Sequence, residues 1–291
     1  MSDKIAFNKA LLWILVSTLL ISGSAFMGWL YFLHIRERRL NDDQYRIAAI
    51  IQRTSQSNTL KSVYLAELLN LSLDRPSNLY QFNTKEAGQI LIQNPLIESA
   101  VVKKILPGTL FISYEMRTPI AYIGDLANTG VDEQGYLFPF RPFFTPKRLP
   151  TIYLGLNKEQ HVWGISLMDS PALTLAFTVL RKFNQLKLKN LELTQLDVSQ
   201  AQSDSYGQRQ IVLVLEEHSQ IERFHYSKVF LRLNPDYFID NLANFCTLHT
   251  NYLEKKIEKK KIEIKDNQSI IIDLRIPHLA FIKIIDFQHN K

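Results

Sequence analysis

Residues 10–33 read ALLWILVSTLLISGSAFMGWLYFL, and no charged side chain lies between Lys9 and His34. As a helix this run is about 36 Å long, enough for a hydrocarbon core of about 30 Å with some tilt. Helix is the expected form, because lipid offers no partner for free backbone N–H and C=O groups. Trp13 sits near one end and Trp29, Tyr31 and Phe32 near the other, where aromatic rings favour the lipid–water boundary. A cleaved signal peptide would have a shorter apolar core and a small-x-small site behind it. Here FLHIRERR follows, so an uncleaved anchor is expected, and a buried core helix is the weaker alternative. Flanking charge (Lys4 and Lys9 before; Arg36, Arg38 and Arg39 after) does not settle orientation. Large domains translocate largely regardless of it. The expected topology is single-pass type II, with a short cytoplasmic tail (1–9), the helix (10–33), a charged connector (34–44) and the body of the chain outside.

The 291 residues leave room for about two domains beyond the anchor, and 46% hydrophobic residues suffice for packed cores. A net charge of +6 allows nucleic acid, an anionic surface or an acidic partner, but basic residues scattered over solvated faces account for it too. The single cysteine, Cys246, makes no intrachain disulfide and no Cys-based zinc site.

Behind the connector, residues 45–52 read as a strand. Residues 62–70 have helical spacing, with Ser62 as a candidate N-cap, and residues 84–93 form a second helix capped by Asn83. Asn94-Pro95 ends that helix, since the residue before proline is pushed out of the helical region. Residues 97–105 and 110–117 flank a Pro-Gly turn, and Leu110, Ile112, Tyr114 and Met116 alternate with polar neighbours as in a half-buried strand. This strand–helix–helix–strand–strand order over residues 45–119 predicts a small α+β unit.

Farther on, residues 120–138 read as a strand pair, with Asp132 and Gly135 as a turn. Phe138, Phe140, Phe143 and Phe144 lie in a Pro-punctuated segment (138–150) expected to pack on the sheet rather than stand exposed. Ser170-Pro171 opens a helix carrying Leu173, Ala176, Phe177, Leu180, Phe183 and Leu186. Lys182, Lys187 and Lys189 cluster toward its end, as the dipole prefers. Residues 193–199, 211–215 and 221–226 read as strands. Asn234-Pro235 starts a helix with Phe238, Leu242, Phe245 and His249 along one stripe. Residues 261–265 and 270–276 read as a hairpin, and 279–285 as a closing strand. The second domain (120–286, with a tail at 287–291) is therefore a mainly antiparallel sheet with two helices. The fold class is α+β.

Five segments occur in one order: residues 98–110 (ESAVVKKILPGTL), 117–121 (RTPIA), 131–138 (VDEQGYLF), 149–155 (LPTIYLG) and 272–275 (IDLR). Behind a single apolar helix they resemble the FtsQ/DivIB family of bacterial division proteins, over about residues 10–285. The chain departs from the family pattern at Met116 and at Ile276-Pro277-His278-Leu279, where an aromatic residue and a glycine are usual. The resemblance implies a POTRA domain over 45–119 and a C-terminal β domain over 120–286. It implies a non-enzymatic scaffold in the inner membrane at the division septum. The implied partners are small single-span division proteins of the FtsB/FtsL or DivIC kind and other divisome membrane proteins. Carried over by motif position, partner binding by strand addition would involve Ile276, His278, Leu279, Ala280 and Phe281.

No GxSxG, HExxH, CxxC or P-loop pattern occurs, so no catalytic residue, cofactor, metal or small-molecule substrate is expected. The histidines (34, 161, 218, 225, 249, 278, 289) are scattered; His218 and His225 near Glu216, Glu217 and Glu222 read as an exposed hairpin. Lys255, Lys256, Lys259, Lys260 and Lys261 alternate with Glu254, Glu258 and Glu263, which argues for a solvated face rather than nucleic acid. Two other classes remain open: a membrane-anchored envelope enzyme acting on cell-wall polymer, and a POTRA adaptor in secretion or outer-membrane assembly.

Overall fold

The computed structural model describes residues 2–72, 74, 76–157, 163–188, 191–217, 228–250 and 268–286. Among the described residues the chain is mixed α+β, with five α-helices and two sheets. It divides into two units, residues 1–92 with 99–115 and residues 93–98 with 116–291.

In the first unit, helix α1 (Ser2–Asn41) contains the expected apolar rod but runs through the segment read as a connector. Its stretch Leu12–Asn41 is long and apolar enough to cross a membrane, with a mean hydropathy of 1.6 and 0% of its apolar window buried. The extension has one local and one distant cause. Arg38 and Arg39 stand in the last turn, where cations complement the helix dipole. The Asn78 amide donates to the carbonyls of Arg39 and Leu40, both at 2.9 Å, and so satisfies two of the orphan acceptors at the helix end. The Arg39 guanidinium lies 5.4 Å from the Tyr80 ring, which meets Tyr45 edge-on at 4.9 Å. Asp42 then caps a short 3-10 turn over Asp43–Tyr45, and Arg46 bridges to Asn78. With residues 43–46 engaged in this way, β1 (Ala49–Arg53) starts later than the expected residue 45.

Helix α2 (Ser62–Leu68) begins one residue off expectation: Lys61 holds the cap position, and no side chain caps the helix. Helix α3 (Thr84–Gln93) is capped as expected, with Asn83 Oδ1 accepting from the N–H groups of Lys85 (3.1 Å) and Glu86 (3.3 Å). Strands β2 (Ile97–Ile105) and β3 (Thr109–Met116) form the expected hairpin. The sheet order is β1-β3-β2, with β1 parallel to β3 and Ala49 opposite Thr109. Leu110, Ile112, Tyr114 and Met116 are all buried on one face of β3. The buried Tyr114 hydroxyl is satisfied: it accepts from the Leu60 N–H (2.8 Å) and donates to Gln52 Oε1 (3.2 Å).

The second unit is a nine-stranded sheet with two described helices. The expected strand pair over residues 120–138 is three short strands instead: β4 (Ala121–Ile123), β5 (Thr129–Val131) and β6 (Leu137–Pro139). Then come β7 (Thr151–Tyr153), α4 (Pro171–Gln185), β8 (Leu191–Asp197) and β9 (Ile211–Glu217). The next described strand is β10 (Lys228–Leu233), which sequence reading missed although Val229, Leu231 and Leu233 alternate inward as a strand requires. The strand read at residues 221–226 lies outside the described residues. Helix α5 (Phe238–Leu248), β11 (Gln268–Asp273) and β12 (Phe281–Asp286) complete the unit. The order is β12-β11-β10-β9-β8-β7-β4-β5-β6. Five neighbouring pairs are antiparallel and three parallel. The antiparallel partner of β11 is β12; residues 261–265, read as the other arm of its hairpin, lie outside the described residues.

The α5 stripe of Phe238, Leu242, Phe245 and His249 is buried, and on the α4 stripe Leu173, Ala176, Phe177 and Phe183 are buried while Leu180 and Leu186 are only partly so. Ser170 occupies the α4 cap position with Pro171 behind it, but its hydroxyl makes no cap bond. Burying each large apolar side chain contributes about 1.5–3 kcal/mol. The phenylalanines of 138–150 pack inward: Phe138, Phe140 and Phe144 are buried, and Phe140 stacks on Phe144 at 5.3 Å.

Asp132 makes the expected turn, with Oδ1 accepting from the N–H groups of Gln134 (3.0 Å) and Tyr136 (2.8 Å) and Gly135 at φ +76°. It also does something the pattern did not reveal. Its Oδ2 accepts from Arg117 Nη1 at 2.7 Å in a buried ion pair, and the guanidinium lies 3.8 Å from the Tyr136 ring. Two predictions follow from these contacts. Asp132→Asn leaves a buried guanidinium without its counter-charge and should cost about 3 kcal/mol, read as a lower urea midpoint. Gly108→Ala, whose Cβ would collide with the Arg46 carbonyl oxygen, should cost about 1–3 kcal/mol in the same assay.

Candidate functional site

An open sheet has two edges, and this one treats them differently. At the β6 end the outer backbone is occupied. The Leu137 N–H donates to the Ile165 carbonyl (3.2 Å), the Gly164 N–H donates to the Leu137 carbonyl (2.8 Å), and Tyr136 bridges to Ser166. All three β6 residues are buried, and the strand stops at Pro139. At the other end, among the described residues, β12 pairs with β11 on one side only, from Gln268 opposite Asp286 to Asp273 opposite Phe281.

The side chains of β12 are as open as its backbone. Residues opposite each other on an antiparallel pair share a face. Ile282 and Ile284 lie opposite Ile272 and Ile270, which are fully buried in the core. The apolar face thus continues one strand past the core, with Ile282 at 37% and Ile284 at 41% exposure. Phe281 and Lys283 point to the opposite face, and Phe281 is 56% exposed. Among the described residues its outer N–H and C=O groups meet no other strand, and they stand beside apolar side chains, the pattern native proteins normally blunt.

The segment leading into β12 is held by charge. The Asp273 carboxylate accepts from Arg275 Nε (3.0 and 3.1 Å), Arg275 Nη2 (2.8 Å) and the Arg275 backbone N–H (3.1 Å), and Arg232 Nη1 lies 3.4 Å away. Burial pushes the Asp273 carboxyl up, but the hydrogen bonds and charge of Arg275, with the charge of Arg232, outweigh it and hold the group below the usual carboxylate range. The same hydrogen bonds raise Arg275 above its ordinary value. The Asn234 amide donates to the Arg275 carbonyl (3.2 Å), and the Leu279 N–H donates to the Ile276 carbonyl (3.2 Å). His278 takes φ +60°, a left-handed conformation that glycine reaches without strain.

Ile276, His278, Leu279 and Ala280 line one wall of a groove of about 560 Å³, with Tyr237 and Asp240 of α5 on the other. Ile276 and Leu279 are each 52% exposed, and Phe281 follows as the first residue of β12. All five residues singled out in the sequence therefore lie together on one exposed rim. Tyr237 in the groove and the exposed Ile282 and Ile284 on β12 were not singled out in the sequence. LAFIKII has no period-two alternation, and a continuous apolar run reads as an interior strand.

A cavity of about 770 Å³ is an open groove beside α4 lined by Phe177, Leu180, Arg181 and Asn184, with Glu133 and Glu192 as its carboxylates. No group of three or more His, Cys, Asp or Glu side chains able to hold a metal ion occurs among the described residues. The lysine cluster at 255–261, with Glu254 and Glu263, lies outside the described residues, as do Lys189, His161, His218, Glu222, His225 and His289. No protein-family model matches the chain, and no curated protein matches it in sequence.

The Asp273 carboxylate should show in the acid limb of stability. Its depressed value contributes stability that is present above the unfolded value of about 3.9 and is lost as pH falls through the lower folded value. Urea midpoints measured from pH 6 to pH 2 should therefore be lower for Asp273→Asn than for wild type at pH 6, with the difference closing below about pH 3.9.

Proposed function

We propose that the chain is a membrane-anchored, non-enzymatic scaffold of the FtsQ/DivIB kind, in which β12 recruits a small single-span division protein by strand addition. The observation that carries this reading is the open β12 edge of the nine-stranded sheet, whose core face runs on through Ile282 and Ile284 into solvent while the β6 edge is covered. An incoming strand would take its affinity from backbone hydrogen bonds and its selectivity from alternate side chains.

Helix α1, long and apolar enough to span a membrane, supports an inner-membrane anchor; in this reading the two units lie outside it and the protein gathers at the septum. The β1-α2-α3-β2-β3 order of the first unit, with β3 central, supports a POTRA-like interaction module. Anchoring confines scaffold and partners to one surface, so modest individual affinities suffice.

The test is co-purification of a tagged FtsB- or DivIC-like partner from membranes. Phe281→Glu sits at an exposed position and should leave the free energy of unfolding in urea within about 0.5 kcal/mol of wild type. It should lower recovery of the partner about tenfold, as loss of an exposed aromatic anchor does at an interface. Equal recovery with Phe281→Glu would remove β12 as the docking strand.

A further inference from the structure

We propose that the β2–β3 turn is a membrane-contacting tip, with Ile105 and Leu106 seated in the lipid–water boundary and Lys103 and Lys104 facing anionic headgroups. This inference rests on the reading of α1 as a membrane span.

Topology places the tip. Strand β1 begins a few residues after α1 ends and runs parallel to β3. The end of the sheet at which β3 begins is therefore the end from which α1 departs. The contact is direct: the Ala48 N–H donates to the Gly108 carbonyl at 2.9 Å, and Gly108 is packed against the Arg46 carbonyl so closely that no Cβ fits. From Leu33 to Asn41 the helix rises about 12 Å, against an interfacial layer of about 5–8 Å. A helix tilt of about 20° and a long side chain close the remainder.

Composition names the occupant. Turns are ordinarily built from polar residues, yet this one carries Leu106 at 62% and Ile105 at 43% exposure. Lys103 and Lys104 precede them, both exposed. Arg36, Arg38, Arg39 and Arg46 are exposed on the same junction, against Glu37, Asp42 and Asp43. Apolar residues flanked by an excess of cations suit an anionic bilayer surface, where each element of the pair adds to the other. The tip gives the first unit a second point of attachment and so restricts its rotation about the α1 exit.

The experiment uses the full chain with Cys246→Ser, reconstituted in nanodiscs that contain phosphatidylglycerol and lipid-borne nitroxide quenchers, one at headgroup depth to read positions 106 and 57 and one at the acyl-chain end to read position 22. Single cysteines replace Leu106, Ser22 within α1, or Ser57, which follows the far end of β1, and each carries bimane. Quenching at position 106 should be about threefold that at position 57, and should fall at least about twofold with Lys103→Gln and Lys104→Gln, with Ile105→Asp, or in phosphatidylcholine alone. Strong quenching at 22 with equal quenching at 106 and 57 would overturn the tip while leaving the span intact. Absence of quenching at 22 would overturn the span and the tip with it.

Discussion

Backbone N–H and C=O groups at the edge of an open sheet have no partner within their own ladder, and how each edge is handled decides what the sheet can do. The β6 edge is closed by residues 164–166 and ends in a proline. The β12 edge is closed by nothing among the described residues, and its side chains at 281–284 are exposed. A strand held by one ladder and little core burial is marginal on its own. It gains from a neighbour that supplies both the missing hydrogen bonds and a cover for Ile282 and Ile284. The nine-strand sheet is thus finished on one side and unfinished on the other.

An unfinished edge is useful only if it is held in place. The link between β11 and β12 is short and turns on Asp273, whose carboxylate gathers Arg275 and Arg232 and so fixes the course of residues 274–276. The left-handed His278 then redirects the chain toward Phe281. These charge contacts cluster beside the exposed rim rather than in the core, so the rim is ordered by electrostatics while the sheet behind it is ordered by apolar burial. The buried Arg117–Asp132 pair plays a comparable part at the start of the second unit, where it ties Arg117 to the turn before β6.

The sequence was most legible where one periodicity governed one environment. The α5 stripe, the alternation on β3, the Asn83 cap and the Asp132-Gly135 turn each follow from local chemistry, and each stands in the fold as read. It was least legible where a distant residue decided the outcome. The persistence of α1 beyond Leu33 depends on Asn78, which no local pattern connects to the helix end. β10 was missed because the apolar residues at 221–226 drew the strand assignment away from the alternation at 228–233. The exposure of β12 is also non-local. Its run of apolar residues is what an interior strand would carry, and only its place at the end of the strand order turns that run outward.

That last inversion bears on selectivity. Backbone pairing at an edge is indifferent to sequence, so a bare edge would accept any extended chain and invite self-association. The two faces of β12 limit the choice in different ways. On the Ile282/Ile284 face an incoming strand must extend a hydrophobic core, which excludes charged residues at alternate positions. On the other face it meets Phe281 and Lys283, where an aromatic or acidic residue is favoured and a second lysine is not. A strand meeting both demands must itself alternate between apolar residues and residues that match Phe281 and Lys283.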